Sequence, residues 1–323
     1  MLLRHIRYFL AVAEHGNFTR AAEALHVSQP TLSQQVRQLE DTLGVPLLDR
    51  SGRAIRLTDA GVAYAHYARR ALQDLEAGRR AIDDVSELSR GSLRIGMTPT
   101  FATYLIGPLL DRYHRRYPNI ALSVLEMPQE RMEPLLSEDA LDVGIAFSET
   151  GSPDFEVRAL FVEALAVVVG KSHSYAGRRT ALTLREFADE ALVLLNGEFA
   201  TRHYLDRYCR RHGVAPRIAM EVNSISAAVE VVRRGALATL LPAAIARENA
   251  ELRLVGLKPA LPRRTVALLM RRDAYRSAAL EAFVAMAEEE GARRRRPERR
   301  AAGALQGRLG GAPAARQKRL RAS

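Results

Sequence analysis

The sequence predicts an α + α/β protein: a helical N-terminal region, one long connecting helix, and a larger region in which strands and helices alternate. Three observations carry this. Residues 17–58 read as two short helices across a tight turn, followed by a small basic hairpin. From Thr58 to Val85 apolar residues recur at four- and three-residue spacing. From Leu93 onward, short apolar strands alternate with amphipathic segments.

Leu2, Leu3, Ile6, Leu10 and Ala13 supply a first helix. In the second, which follows Thr19, Ala22 and Leu25 share an apolar face, and His26-Val27-Ser28 breaks the run. Ser28 is a good N-cap, and Pro30 falls in the first turn of the next helix, where its missing N–H costs little. Leu32, Val36 and Leu39 then form one buried stripe. The opposite face carries Gln29, Thr31, Ser33, Gln34 and Arg37, amide and hydroxyl donors with one guanidinium. That is chemistry for reading base edges and gripping phosphates.

Asp49 to Thr58 forms the hairpin: Ser51-Gly52 is its turn, Arg50 and Arg53 flank it, and Ile55 and Leu57 alternate with Arg56. Arginines beside such a helix suit backbone or minor-groove contact. A polar helix face alone is usually no more than a solvated face, but the two-helix spacing and the hairpin point elsewhere. Residues 1–58 are therefore read as a winged helix-turn-helix with double-stranded DNA as partner. Its contact residues are Ser28, Gln29, Pro30, Thr31, Ser33, Gln34, Arg37, Arg50 and Arg53.

Thr58 and Asp59 open a linker helix over 59–89, where Tyr64, Ala68, Ala71, Leu75, Gly78, Ile82 and Val85 follow a heptad rhythm. Alanine and glycine in the seam make it a weak zipper, so neighbouring surfaces must help. The alternative is one amphipathic helix packed on its own domain. After a winged helix, self-association has a use: two recognition helices address two half-sites of an interrupted palindrome.

In the α/β region, Leu93–Met97 is a strand followed by a helix from about Thr100 to Tyr117. Further strands are IALSVLEM, LDVGIAF, ALAVVVG, Leu192–Leu195, Ile218–Val222, LATLLP and TVALLMRR. Helices are expected at 129–137, 201–212, 224–234 and 275–289. The alternation argues for a mostly parallel sheet covered by helices.

Ligands bind such sheets in the crevice beyond the strand ends, and helix N-termini with hydroxyls hold anions there. Three loops fit: Thr98-Pro99-Thr100, Thr201-Arg202 after Phe199, and Asn223-Ser224. The same residue types also serve as plain caps, but their recurrence in three loops favours a site. Arg202 either supplies charge to it or makes a surface salt bridge. Phe147 and Pro242 either wall the cleft or pack the core.

Composition sets limits. The 323 residues are 47% hydrophobic and 26% charged, as in ordinary globular proteins. There is no signal-peptide pattern and no apolar run near the ~20 residues a membrane helix needs, so no membrane partner is expected. The single cysteine, Cys209, excludes an internal disulfide and fits a cytoplasmic location and a helix-packing role. The net charge of +11 is misleading. Residues 291–323 hold eleven Lys/Arg against Glu298, leaving 37 basic and 36 acidic residues in 1–290. The basic tail 291–323 reads as disordered, either a nonspecific phosphate-binding arm or a solvated end. No nucleophile elbow, HExxH, P-loop or His/Cys cluster is present, so neither catalysis, metal nor cofactor is expected.

The block FTRAAEALHVSQPTLSQQVRQLEDTLGVPLLDR resembles the DNA-binding end of LysR-type transcriptional regulators. RGSLRIGMTPTF (90–101), LDVGIAF (141–147), EFATR (198–202), NSISA (223–227) and LLPAAIA (240–246) extend the similarity over residues 1–287. These later blocks are most similar to the cyanate-responsive branch of that family. The resemblance implies a two-lobed, periplasmic-binding-protein-like effector domain at 92–290, with lobe I at 92–163 and 266–290 and lobe II at 164–265. It also implies a dimer or tetramer controlling a nearby operon and its own gene, as activator or repressor, with RNA polymerase as a further partner. The implied effector is a small anion, cyanate; the alternative is a different small carboxylate or an aromatic compound. A small-molecule binding protein without DNA function is the remote alternative, against which the first 60 residues argue.

Overall fold

A computed structural model describes residues 2–52, 54–84 and 91–309. The chain forms two compact units, one of residues 1–87 and 273–277, the other of residues 88–272 and 278–323.

In the first unit, α1 (Leu3–His15), α2 (Phe18–Ala24) and α3 (Gln29–Leu43) precede a two-stranded wing, β1 (Leu48–Asp49) against β2 (Arg56–Leu57), and then α4 (Asp59–Asp84). The second helix starts at Phe18 because the Asn17 side chain accepts from the amides of Thr19 (2.8 Å) and Arg20 (3.1 Å). Phe9, Val12, Leu32, Val36 and Leu39 are fully buried and form the core with Leu47 and Ala65. α4 leaves this core at very close range: a Cβ on Gly61 would lie 2.0 Å from the Leu47 carbonyl oxygen. Tyr64, whose ring is 5.7 Å from Phe9, packs there with Ala65, and Ala68 further along the helix is buried. The first part of the heptad seam thus serves its own unit, whereas Ala71 and Leu75 stay exposed. Val85 lies outside the described residues.

The second unit begins with β3 (Gly91–Met97), a one-turn 3-10 helix (Pro99–Ala102), α5 (Ile106–Arg116), β4 (Ile120–Glu126), α6 (Gln129–Ser137) and β5 (Val143–Phe147). β6 (Phe155–Gly170) follows, then β7 (Leu182–Thr183), α7 (Leu184–Asp189), β8 (Ala191–Leu195), α8 (Ala200–His212), β9 (Arg217–Val222) and α9 (Ile225–Arg234). The chain closes with β10 (Ala238–Pro242), α10 (Ala243–Arg247), β11 (Leu252–Val255), β12 (Leu257–Lys258), β13 (Arg263–Arg271) and α11 (Ala278–Leu309).

The main sheet runs β4-β3-β5-β13-β6-β10-β8-β9, with β11 also on β6. Its two wings are parallel, but β13 and β6 run antiparallel to each other and to their other neighbours. The expectation of a mostly parallel sheet is corrected to a mixed one. The cause is β6, whose first half pairs with β13 in lobe I and whose second half pairs with β10 and β11 in lobe II. The chain crosses between lobes inside one 16-residue strand and returns along β13.

Two other expectations change. The helix expected from Thr100 becomes a short 3-10 turn, and α5 starts only at Ile106, because Pro108 lacks an N–H and fits only a first turn. At the other end, residues 291–309 are helical as the continuation of α11, not disordered. Arginine, alanine, leucine and glutamine are strong helix formers, which a reading from charge and complexity overlooks. Residues 310–323 lie outside the described part. No helix among the described residues is long and apolar enough to cross a membrane.

Candidate functional site

The polar face of α3 is built by its cap and its buried stripe. Ser28 Oγ accepts from the Thr31 amide (3.3 Å) and lies 2.7 Å from Thr31 Oγ1, so these two hydroxyls engage each other. With Leu32, Val36 and Leu39 turned inward, Gln29, Pro30, Thr31, Gln34 and Arg37 are exposed and Ser33 is half-buried. Arg50 does not stand clear as a wing arginine: it pairs with Glu40 at 2.6 Å and covers the Phe18 ring at 5.5 Å. Glu40 also accepts from the amides of Leu47 (2.9 Å) and Leu48 (3.1 Å), so Arg50 braces the wing root against α3. Arg53 lies outside the described residues.

In the second unit, a cleft of about 480 Å³ opens between α6 of lobe I and α8 of lobe II. Gln129, Glu133 and Glu149 line one wall, Tyr204 and Arg207 the other, with Phe147 beneath. Gln129 holds its wall in place by accepting from the Phe147 amide (3.0 Å) and donating to the Glu149 carbonyl (2.6 Å). Against Phe147 lies the guanidinium of Arg264, 4.0 Å from the ring centroid and 5.4 Å from that of Tyr204. Arg264 is 3% exposed. It donates to Glu163, its cross-strand partner, and to Thr201 Oγ1 at 3.1 Å. Glu163, equally buried, also accepts from the Tyr104 hydroxyl. Burial, and then the Glu163 carboxylate, push the Tyr104 phenol well above its ordinary range, so it stays protonated and donates.

Among the described residues, Arg264 Nη1 has no hydrogen-bond partner, and neither do the buried hydroxyls of Thr98 and Thr100. Thr98 precedes and Thr100 lies within the turn that brings Phe101 to 5.4 Å from Phe147. Buried donors left unpaired cost free energy that an acceptor would recover. Glu163 neutralises Arg264 as a point charge, so what lies behind Phe147 is a directed N–H group rather than a net positive field.

Of the residues expected at the site, Phe147 lines the cleft, Thr201 accepts from the buried Arg264, and Thr98 and Thr100 are buried at the turn that brings Phe101 against Phe147. Pro99 is the first residue of the 3-10 turn. Arg202 is a correction. Its guanidinium is taken up by Asp206 (3.0 Å), Glu221 (2.6 Å) and the Leu195 carbonyl (3.1 Å), so it braces α8. Ser224 caps α9 through the Ala227 amide (3.3 Å), and Asn223 is exposed. Pro242 is buried where β10 passes into α10 and does not line the cleft. The groups missed from sequence are Tyr104, Glu163, Tyr204 and Arg264. The pairing register sets Arg264 opposite Glu163, and the tertiary contacts of that pair bring in Tyr104 and Tyr204. Among the described residues, no cluster of His, Cys, Asp and Glu is placed to hold a metal.

Comparison with known proteins bears on both units. Residues 3–62 match the description "Bacterial regulatory helix-turn-helix protein, lysR family", and residues 86–292 match "LysR substrate binding domain". The DNA-binding transcriptional dual regulator OxyR of Escherichia coli K12 is 31% identical over 275 residues, 84% of this chain and 90% of that protein. The HTH-type transcriptional regulator TfdS of Cupriavidus pinatubonensis is 36% identical over 251 residues, 76% and 84% of the two chains. Among solved structures, full-length CbnR complexed with its target DNA superposes with a TM-score of 0.60 at 26% identity, covering 90% of this chain and 99% of that one. Full-length OxyR from Pseudomonas aeruginosa gives 0.67 at 26% identity, covering 89% and 94%. These relatives are regulators, not enzymes. The chain belongs to the LysR family, and it is a DNA-binding transcriptional regulator with an effector-binding domain.

Proposed function

We propose that this regulator reads an interrupted palindromic operator with the exposed α3 face, chiefly Gln29, Gln34 and Arg37, and is switched by a small anion on the cleft floor. The observation that carries the effector reading is the buried Arg264, which lies against the cleft residues Phe147 and Tyr204 and whose Nη1 lacks a protein partner; the buried Thr98 and Thr100 hydroxyls are unpartnered as well. Within that class cyanate is favoured by the sequence blocks at 90–101, 141–147, 198–202, 223–227 and 240–246. The relatives named above do not bear on it. The open cleft above Phe147, about 480 Å³, favours a second reading: a larger carboxylate with a ring that stacks there while its oxygens reach Arg264.

Peroxide sensing through a disulfide is a poor fit. Cys209 is the only cysteine, it is buried in α8, and burial pushes its thiol up to about 11. Assembly into dimers or tetramers is proposed to use the exposed Ala71 and Leu75 stripe of α4.

Calorimetry on the full-length protein with sodium cyanate and sodium benzoate tests the effector. Binding of either that survives in Thr100→Val and Arg264→Met would sink the floor as its site. Footprinting upstream of the chain's own gene tests the operator, with Gln34→Ala and Arg37→Ala expected to lose protection while remaining folded. Undiminished protection would remove those residues from the interface.

A further inference from the structure

The helix α11 passes beyond residue 292, where the substrate-domain match ends, and its next residues touch the lobe crossing. Opposite β13, the strand β6 slips register: Val266 faces Phe161 while Ala267 faces Ala159, leaving Leu160 as the extra residue of a bulge. A bulge leaves backbone groups out of the ladder, and such groups need other partners. α11 meets this bulge at Gly291, where a Cβ would stand 2.7 Å from the Leu160 carbonyl oxygen. One turn later Arg295 donates to that carbonyl and to the Ala159 carbonyl, the latter at 2.6 Å.

Arg294, beside it, reaches both lobes. In lobe I it donates to the Tyr104 carbonyl at 2.8 Å, and its guanidinium lies 5.2 Å from the Tyr104 ring centroid and 5.9 Å from that of Phe161. In lobe II it pairs with Glu248 at 3.5 Å, while Glu290 on its own helix holds it from below at 2.9 Å. These are not end-of-helix capping contacts, because α11 continues to Leu309. Tyr104 is also the residue whose hydroxyl donates to Glu163, which in turn holds Arg264. An unbroken series of contacts therefore joins Arg294 to the cleft floor.

We infer that Arg294 and Arg295 are positioning residues for the effector pocket: they lock the bulged lobe crossing and Tyr104, so that the Glu163–Arg264 pair presents Nη1 to the ligand. The inference rests on the anion reading of the cleft floor for its ligand, but its mechanical part stands on the contacts alone. Because Arg294 bonds both lobes, any rotation between them changes its contacts, and the clamp biases the equilibrium the effector acts on.

The test uses the full-length protein and the variants Arg294→Ala, Arg294→Lys and Arg295→Ala, each carried through amide hydrogen exchange and calorimetry with sodium cyanate and sodium benzoate. In Arg294→Ala, amides of residues 103–105 and 157–163 are expected to exchange at least about fivefold faster, with affinity for the bound anion about tenfold weaker, as coupling mutations of this kind produce. Arg294→Lys should fall between, because it keeps the charge but not the flat two-lobed guanidinium contact. Exchange in the DNA-binding helices should stay as in the parent. Unchanged exchange at both segments overturns the proposal, and so does acceleration spread evenly over the whole unit, which would mean ordinary destabilisation. Faster local exchange in Arg294→Ala, with a parent that binds neither salt, would uphold the clamp and overturn the anion reading.

Discussion

The buried pair Glu163–Arg264 decides most at the residue scale. Each is 3% exposed, and each depends on the other for compensation. Glu163→Gln leaves a buried guanidinium uncompensated and is expected to cost about 3–5 kcal/mol, read from urea unfolding at neutral pH. The double replacement Glu163→Met with Arg264→Met should recover most of that loss while abolishing the anion response. A double variant as unstable as Glu163→Gln would refute the account. A different carboxylate sets an acid limit. The Arg178 guanidinium, and then the Thr183 amide and hydroxyl, hold Glu186 down to about 2 from an ordinary 4.5. A depressed carboxylate contributes stability that is complete above its unfolded value and is lost as pH falls through the folded one. Local protection at Thr183 and Glu186, followed by NMR, should therefore persist down to the ordinary carboxylate range and fade as the pH approaches 2.

Among the elements, the contact of α4 with the wing is the least forgiving. Gly61→Ala would drive a methyl into the Leu47 carbonyl, 2.0 Å from the added carbon, and backbone cannot rotate away. The loss of stability is expected to be about 1–3 kcal/mol by thermal unfolding, with operator affinity falling as the wing shifts. A variant as stable as the parent would show that the approach is softer than it looks. Elements differed in how far their residues announced them. α3 was legible because Ser28, Pro30 and the 32-36-39 stripe are local signals. The first half of β6 was not, because the bulge at Leu160 breaks the period-two pattern that marks a strand. The site followed the same division. Thr98, Thr100 and Thr201 stand at helix starts that sequence can flag. Arg264 reads as an ordinary surface arginine until β13 is laid beside β6. Arg202 drew attention for its neighbours in the chain; its partner Asp206 stands four residues on in the same helix, whereas Glu221 was visible only in space.

For the whole molecule, charge and assembly divide the work. Residues 1–290 are nearly neutral, so affinity for DNA must come from repeated units rather than from a broad positive field. Leu75, 54% exposed on α4, is an apolar residue such a repeat would cover. Leu75→Glu is expected to weaken self-association at least about tenfold in sedimentation, since covering a leucine is worth about 1.5–3 kcal/mol. The weakening should lower affinity for a two-half-site operator far more than for a single half-site. Equal losses on both would take α4 out of the assembly. The two strands that join the lobes, β6 and β13, lie side by side and antiparallel in one sheet. A paired ribbon is stiff within its own plane but yields readily to twist, the natural deformation of a sheet. The lobes are therefore mounted on a torsion bar, not a jaw. On the proposed reading, an effector in the cleft would set an angle about one axis, and that angle is the quantity an assembled regulator would deliver to its DNA.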